Sequence, residues 1–250
     1  MKKNWDKVYT TAFGGNWYPD EGIVRFTARY LQRRLGIDVW NVKRKVNRLL
    51  DDGCGNGRHV VLFAEQGFDV YGIDISPEAV QIAEAWLAKK GLKAHLETAS
   101  VTKLPFADRY FDVVTSFGVL DHIKFSEAKE AAAEFKRVLV PSGYLYITLR
   151  SVEDSECGRG KEVDKNTFVL QEGYEKGIIQ HFFDQKEIEE LLKGFRIFDI
   201  ECYEEKFTDV YTLDKSFLQS SKAEKRFIDI SKPVNLNLKS SRWHITAEKV

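Results

Sequence analysis

The stretch Leu49-Leu50-Asp51-Asp52-Gly53-Cys54-Gly55-Asn56-Gly57-Arg58-His59 sets the organisation of the 250-residue chain. Apolar Val46, Leu49 and Leu50 lead into three alternating glycines, and Val60 to Ala64 follow, so a buried strand, a tight loop and a helix are expected in that order. Without Cβ atoms the loop lets a ligand approach the backbone, and the unpaired N–H groups of the helix start face the crevice. About twenty residues on, Asp69-Val70-Tyr71-Gly72-Ile73-Asp74 reads as a second strand ending in a carboxylate suited to a pair of ribose hydroxyls. Together these segments describe a site for an adenosine-bearing cofactor.

Glycine spacing narrows the choice of cofactor. A dinucleotide fingerprint wants its third glycine where this chain has Arg58, whereas here Gly53, Gly55 and Gly57 follow Asp51. Carboxylates at the ends of both strands suit a ligand without a pyrophosphate. The run Leu50-Asp51-x-Gly53-Cys54-Gly55-x-Gly57 resembles the first motif of class I S-adenosylmethionine-dependent methyltransferases, of the small-molecule, type 11-like group. The likeness continues through Gly72-Ile73-Asp74-Ile75-Ser76, Leu104-Pro105-Phe106, Tyr110-Phe111-Asp112-Val113-Val114 and Phe135 to Leu145. It covers residues 45–150 well and 178–204 more loosely.

What the resemblance implies is a single α/β domain over 1–250, a Rossmann-like doubly wound seven-stranded sheet, mainly parallel with an antiparallel C-terminal strand pair. It implies S-adenosyl-L-methionine as cofactor, bound by Asp51, Gly53, Cys54, Gly55, Asn56, Gly57, Asp74, Ile75, Ser100, Val101 and Phe117. Two positions depart from the family pattern. Ser100 stands where an acidic residue usually accepts from the adenine amino group, and Asp52 stands where an apolar or small residue is usual. A serine hydroxyl accepts the same bond more weakly. Asp52 must point into the site or find a partner, because an unpaired buried carboxylate is too costly.

Composition bounds the partners. With 38 basic and 38 acidic residues there is no global field to attract nucleic acid or an anionic membrane, and 43% hydrophobic residues can fill one core. No eighteen-residue apolar run occurs, so a soluble, cytoplasmic protein is expected. Cys54, Cys157 and Cys202 are scattered, which implies neither a disulfide nor a zinc site. Oligomeric state stays open.

Outside the central segment, residues 1–21 carry Trp5, Tyr9, Phe13, Trp17 and Tyr18, either filling a surface groove or closing over a pocket. Ile23, Phe26, Thr27, Tyr30, Leu31 and Leu35 recur at helical spacing up to Gly36, and 38–45 reads as a short helix or turn. Ser76-Pro77 and Ser126 are expected helix starts. Residues 151–182 have no clear period and 207–240 form a long add-on; both are placed to wall a substrate pocket or make contacts. Residues 215–242 hold seven basic and two acidic residues, and a continuous patch there would favour a phosphorylated, carboxylated or glycan-linked acceptor.

An activated methyl needs binding, alignment and water exclusion from the protein, with a general base only for a hydroxyl nucleophile. His122 and His181, at strand ends on the ligand side, are the candidate bases; His59, His95 and His244 read as structural. Asp121 is not expected to orient its neighbour His122. Cys54 reads as a small residue beside the cofactor, and Arg58 either as closing the helix end or as pairing with Asp51 or Asp52, with a surface salt bridge as its default. The leading reading is methyl transfer to a small-molecule O, N or S nucleophile. A non-catalytic cofactor-binding or scaffold protein is the alternative, and a nicotinamide-dependent oxidoreductase is disfavoured by the glycine spacing.

Overall fold

The computed structural model describes residues 2–11, 17–37, 39–171, 176–207 and 238–250. Residues 208–237 of the expected add-on and 12–16 of the aromatic segment lie outside the described residues. In chain order the elements are α1 (Lys2–Thr11), α2 (Glu21–Phe26), β1 (Gln32–Arg34), β2 (Trp40–Val42), β3 (Arg48–Asp52), α3 (Arg58–Glu65) and β4 (Asp69–Asp74). Then come α4 (Pro77–Lys90), β5 (His95–Thr98), β6 (Phe111–Ser116), α5 (Phe125–Val138), β7 (Leu139–Arg150), β8 (Lys161–Asp164), β9 (Thr167–Val169), β10 (Ile179–His181), α6 (Gln185–Leu191), β11 (Phe195–Phe207) and β12 (Leu238–Lys249).

Seven strands form the main sheet in the order β11-β12-β7-β6-β3-β4-β5. Strands β5, β4, β3, β6 and β7 pair in parallel, while β12 runs antiparallel to both β7 and β11. This is the Rossmann-like sheet with its antiparallel C-terminal pair. Side chains alternate across the strands: Leu49 and Val113 join Val60, Phe63, Ile23 and Phe26 on one face, and Leu50 and Val114 join Ala128, Ala131, Phe135 and Ile188 on the other. Both faces are thereby buried, which suits parallel strands. The order reverses between β3 and β6, whose carboxyl ends define the crevice.

Several local expectations are corrected. The helix expected from Ile23 to Leu35 stops being regular at Phe26; Thr27 Oγ1 bonds back to the Ile23 carbonyl at 2.7 Å, and a wider π turn runs from Thr27 to Leu31. Gln32–Arg34 then extends to pair with Trp40–Val42, so the region expected as a helix or turn at 38–45 holds the second strand of a small antiparallel pair. Ser126 is not the cap of α5: the helix starts a residue earlier, where the Glu127 carboxylate accepts the Lys124 N–H at 3.0 Å. Within the unpatterned 151–182 segment, β8, β9 and β10 form a three-stranded antiparallel sheet. The expected Ser76 cap is present, with its Oγ accepting the Ala79 N–H at 3.3 Å and Pro77 opening α4.

Candidate cofactor site

The loop between β3 and α3 is held by its own backbone. Cys54 N–H donates to the Ile73 carbonyl at 2.8 Å and Gly57 N–H to the Cys54 carbonyl at 2.9 Å, with φ at Gly53, Gly55 and Gly57 all positive. Gly55 has φ +53, and a Cβ there would come within 2.6 Å of the Tyr9 hydroxyl. Asp74, at the end of β4, accepts from Gly55 N–H and Ser76 N–H, each at 2.9 Å. It is 7% exposed, and burial pushes its carboxyl up to about 6 despite these bonds.

Beside this loop lies a cavity lined by Asp52, Gly53, Asp74 and Ile75 on one side and by Ser100, Val101 and Thr102 on another. Gly118, Val119, His122, Ile123 and Glu127 complete the far wall, and Trp5 and Tyr9 of α1 cover it. Five of the residues implied by the resemblance, Gly53, Asp74, Ile75, Ser100 and Val101, therefore meet at one cavity. Ser100 Oγ lies 3.0 Å from Thr102 Oγ1, a hydroxyl pair where the family has a carboxylate.

The other implied residues sit behind that wall. Adjacent carboxylates on a strand point to opposite faces, so Asp52 reaches the cavity while Asp51 turns toward α3. In register with them on β6, Ser116 Oγ donates to Asp52 at 2.8 Å and Thr115 Oγ1 to Asp51 at 2.8 Å. Both carboxylates are 1% exposed. Burial raises Asp51 to about 7 and holds Asp52 well above the usual range. Asp51 Oδ2 has no hydrogen-bond partner among the described residues. Cys54 and Asn56 are buried in the loop, and burial with the fields of Asp74 and Asp51 drives the Cys54 thiol far up, so it stays protonated. Phe117 packs edge-on to His59 at 5.2 Å rather than against the cavity.

The histidines separate. His122 lines the cavity, with its ring edge-on to Trp5 at 4.9 Å and Nδ1 3.2 Å from the Ile179 carbonyl. That oxygen only accepts, so in the neutral ring Nδ1 carries the proton and Nε2 the lone pair. His181 does not reach the cavity: it is fully buried, bonded through Nδ1 to Thr167 Oγ1 at 2.8 Å and stacked on Phe125, and burial lowers its pKa. His59 accepts the Asp20 N–H at 3.2 Å, a packing role.

Arg58 makes no ion pair with Asp51 or Asp52; its guanidinium lies over Phe117 at 5.1 Å and donates to the Tyr18 carbonyl at 3.4 Å. Asp121 turns away from His122 and accepts from Arg150 N–H at 2.8 Å and Arg242 Nη1 at 2.6 Å. Sequence spacing carries no sign of that pairing, nor of the cavity contact made by Glu127.

Residues 50–147 match the family profile described as Methyltransferase domain. Over those residues the chain is similar to the methyltransferase domain of class I enzymes, whose cofactor is S-adenosyl-L-methionine. The uncharacterized methyltransferase YcgJ of Bacillus subtilis is 30% identical over 113 residues, covering 44% of this chain and 44% of its own length. A ubiquinone biosynthesis O-methyltransferase of Rickettsia prowazekii is also 30% identical over 113 residues, covering 43% of this chain and 44% of its own. The chain thus spans less than half the length of these curated relatives. Among solved structures, a SAM-dependent methyltransferase of Methanosarcina mazei superposes with a TM-score of 0.63 at 23% identity, covering 83% of this chain and 94% of that one. Among the described residues no helix is long and apolar enough to cross a membrane.

The residues present fit this cofactor. A strand-end carboxylate at Asp74 for a hydroxyl pair, the Ile75 and Val101 side chains for a ring, and the Asp52 carboxylate on the same cavity form an acceptor set suited to a cationic nucleoside.

Proposed function

We propose that the protein is an S-adenosylmethionine-dependent methyltransferase that transfers a methyl group by in-line displacement to a small-molecule O, N or S nucleophile. The observation that carries this reading is the placement of Asp74 and Gly53 on one cavity that extends past Gly118 to His122. A cofactor site and a candidate proton acceptor then share one enclosed space. The name of the Rickettsia relative, a ubiquinone biosynthesis O-methyltransferase, supports a small acceptor, as does the balanced charge of the chain.

When bound, the sulfonium supplies an already activated methyl group. The chain supplies the rest. Asp74 would hold the ribose hydroxyls, Ile75 and Val101 the adenine ring, and the Ser100–Thr102 hydroxyls its amino group. Trp5 and Tyr9 exclude water. His122, its Nδ1–H directed at Ile179, offers Nε2 to take a proton from a hydroxyl acceptor; a thiol or amine acceptor has less need of it. His181, remote from the cavity, takes no part in this scheme.

Calorimetric titration of S-adenosylmethionine and S-adenosylhomocysteine into wild type and Asp74→Ala tests the reading. Micromolar binding that collapses in the variant is expected. No binding by wild type would sink it, and binding without transfer to any acceptor would favour the non-catalytic alternative.

A further inference from the structure

Arg58 and Arg242 come from distant parts of the chain, yet their guanidinium carbons lie 5.1 and 5.7 Å from the centre of the same Phe117 ring. Arg242 is anchored. Its Nη1 donates to Asp121 at 2.6 Å and to Thr148 Oγ1 at 3.3 Å, and Asp121 is itself fully buried. Among the described residues Arg58 is not anchored in this way: it bonds to the Tyr18 carbonyl at 3.4 Å and makes no ion pair. Burial and the field of Arg242 pull its pKa down, while Asp20 and Asp51 act in the opposite sense from beyond pairing distance.

Two partly buried cations therefore share one aromatic ring, Arg242 paired with Asp121 and Arg58 in the more distant fields of Asp20 and Asp51. Ring faces attract guanidinium groups, but like charges in a partly desolvated site repel, and an oxyanion relieves that repulsion. Guanidinium groups also match the oxygens of carboxylates and phosphates in geometry. The position is informative. Phe117 directly precedes Gly118, which lines the cavity, and a Cβ on Gly118 would lie 3.7 Å from Arg242 Nη1. Arg242 thus reaches the cavity wall at Gly118, at the carboxyl end of β6, and the Phe117 ring links it to Arg58.

We infer that Arg58 and Arg242 form an oxyanion site that holds a carboxylate or phosphate group of the acceptor, with Phe117 as its floor. As an acceptor site this rests on the methyltransferase reading; as an anion site it stands on its own geometry. It makes the acceptor a small acid or phosphate ester whose anionic group is held a short distance from the nucleophile.

The test is calorimetry on the full chain with two probes, inorganic phosphate and benzoate, each titrated into free protein and into protein saturated with S-adenosylhomocysteine. Millimolar binding of at least one probe is expected, weakened at least tenfold in Arg58→Gln and in Arg242→Gln. The preferred probe tells phosphate from carboxylate. Arg242→Gln strips a partner from buried Asp121, so its unfolding midpoint is measured alongside; Arg58→Gln breaks no ion pair and is the decisive variant. Failure of both probes to bind, or equal binding by Arg58→Gln and wild type, overturns the site. Anion binding without S-adenosylhomocysteine binding leaves the anion site standing and removes the methyltransferase reading instead.

Discussion

Oδ2 of Asp74 accepts the backbone N–H of Gly55 at 2.9 Å, so the carboxylate placed to hold the cofactor also ties β4 to the glycine loop. The two roles separate by substitution. Asp74→Asn removes the charge and turns an NH2 group toward either the Gly55 or the Ser76 N–H, and hydrogen bonds to a charged group contribute about 1.5–3 kcal/mol, so cofactor affinity falls roughly 10- to 150-fold. Asp74→Ala also leaves the Gly55 and Ser76 amides without their acceptor. Its affinity falls further and its thermal midpoint drops. Calorimetry and thermal unfolding of both variants read this directly, and an Asp74→Asn protein with wild-type affinity would contradict the assignment.

Gly57 and Gly91 both have positive φ, at +85° and +67°, but in different surroundings. A Cβ on Gly57 would lie 2.7 Å from Ala83 Cβ and 3.1 Å from Ala83 Cα, whereas one on Gly91 meets nothing within 4 Å. Gly91→Ala is therefore expected to cost only the left-handed conformation, about 1–2 kcal/mol. Gly57→Ala must also push α3 from α4, and a loss above about 3 kcal/mol is expected together with loss of cofactor binding. Urea unfolding of the two variants compares them; equal losses would show that the helix contact is unimportant.

Much of this architecture is legible because local and global signals agree. Leu49 against Leu50, and Val113 against Val114, divide between the two sheet faces as a strand buried on both sides requires. Ser76-Pro77 begins a helix in sequence and in space. Where the reading failed, tertiary context overrode a local period. The spacing from Ile23 to Leu35 is helical throughout, yet pairing of Gln32–Arg34 with Trp40–Val42 draws its end into a strand. His181 ends a strand on the expected side but sits under Phe125 and Phe183, and no one-dimensional signal marks that roof. The Asp121–Arg242 pair spans 121 positions, beyond the reach of any spacing rule.

Burial raises Asp51 to about 7 and Asp74 to about 6, above the usual carboxyl value near 4. Between pH 4 and 7 the folded protein therefore binds these protons more tightly than the unfolded chain. The resulting stabilisation is full below pH 4 and is lost as pH rises through 6 to 7. His59 and His244 oppose it: burial lowers both, His244 to about 4, so their contribution falls as pH drops below 6.5. Wild type alone mixes the two trends, and Asp51→Asn separates them. Relative to wild type the variant should gain stability between pH 5 and 8, by up to about 2.6 kcal/mol. Urea unfolding at pH 5, 6.5 and 8 measures the difference; a pH-independent difference would show that Asp51 is not the titrating group.

Tyr9 and Trp5 of α1 line the cavity, which makes α1 the element to test for control of access. With both in place it holds about 230 Å³, below the roughly 300–1,000 Å³ of typical small-molecule pockets. The Tyr9 hydroxyl stands over Gly55, where a cofactor would approach the backbone. A cofactor lying against Gly55 is therefore expected to displace the Tyr9 hydroxyl on entry. Trp5 packs against His122 at 4.9 Å, so its emission should change on S-adenosylhomocysteine binding, and Trp5→Phe should remove most of that change. Loss of one aromatic contact of about 0.5–1.5 kcal/mol predicts release up to roughly tenfold faster in Trp5→Ala. Tyr9→Ala should speed association as well, because it clears the space above Gly55. Stopped-flow measurement of both rate constants decides the matter: unchanged rates in both variants would mean that α1 decorates the domain surface and leaves access to the cofactor site untouched.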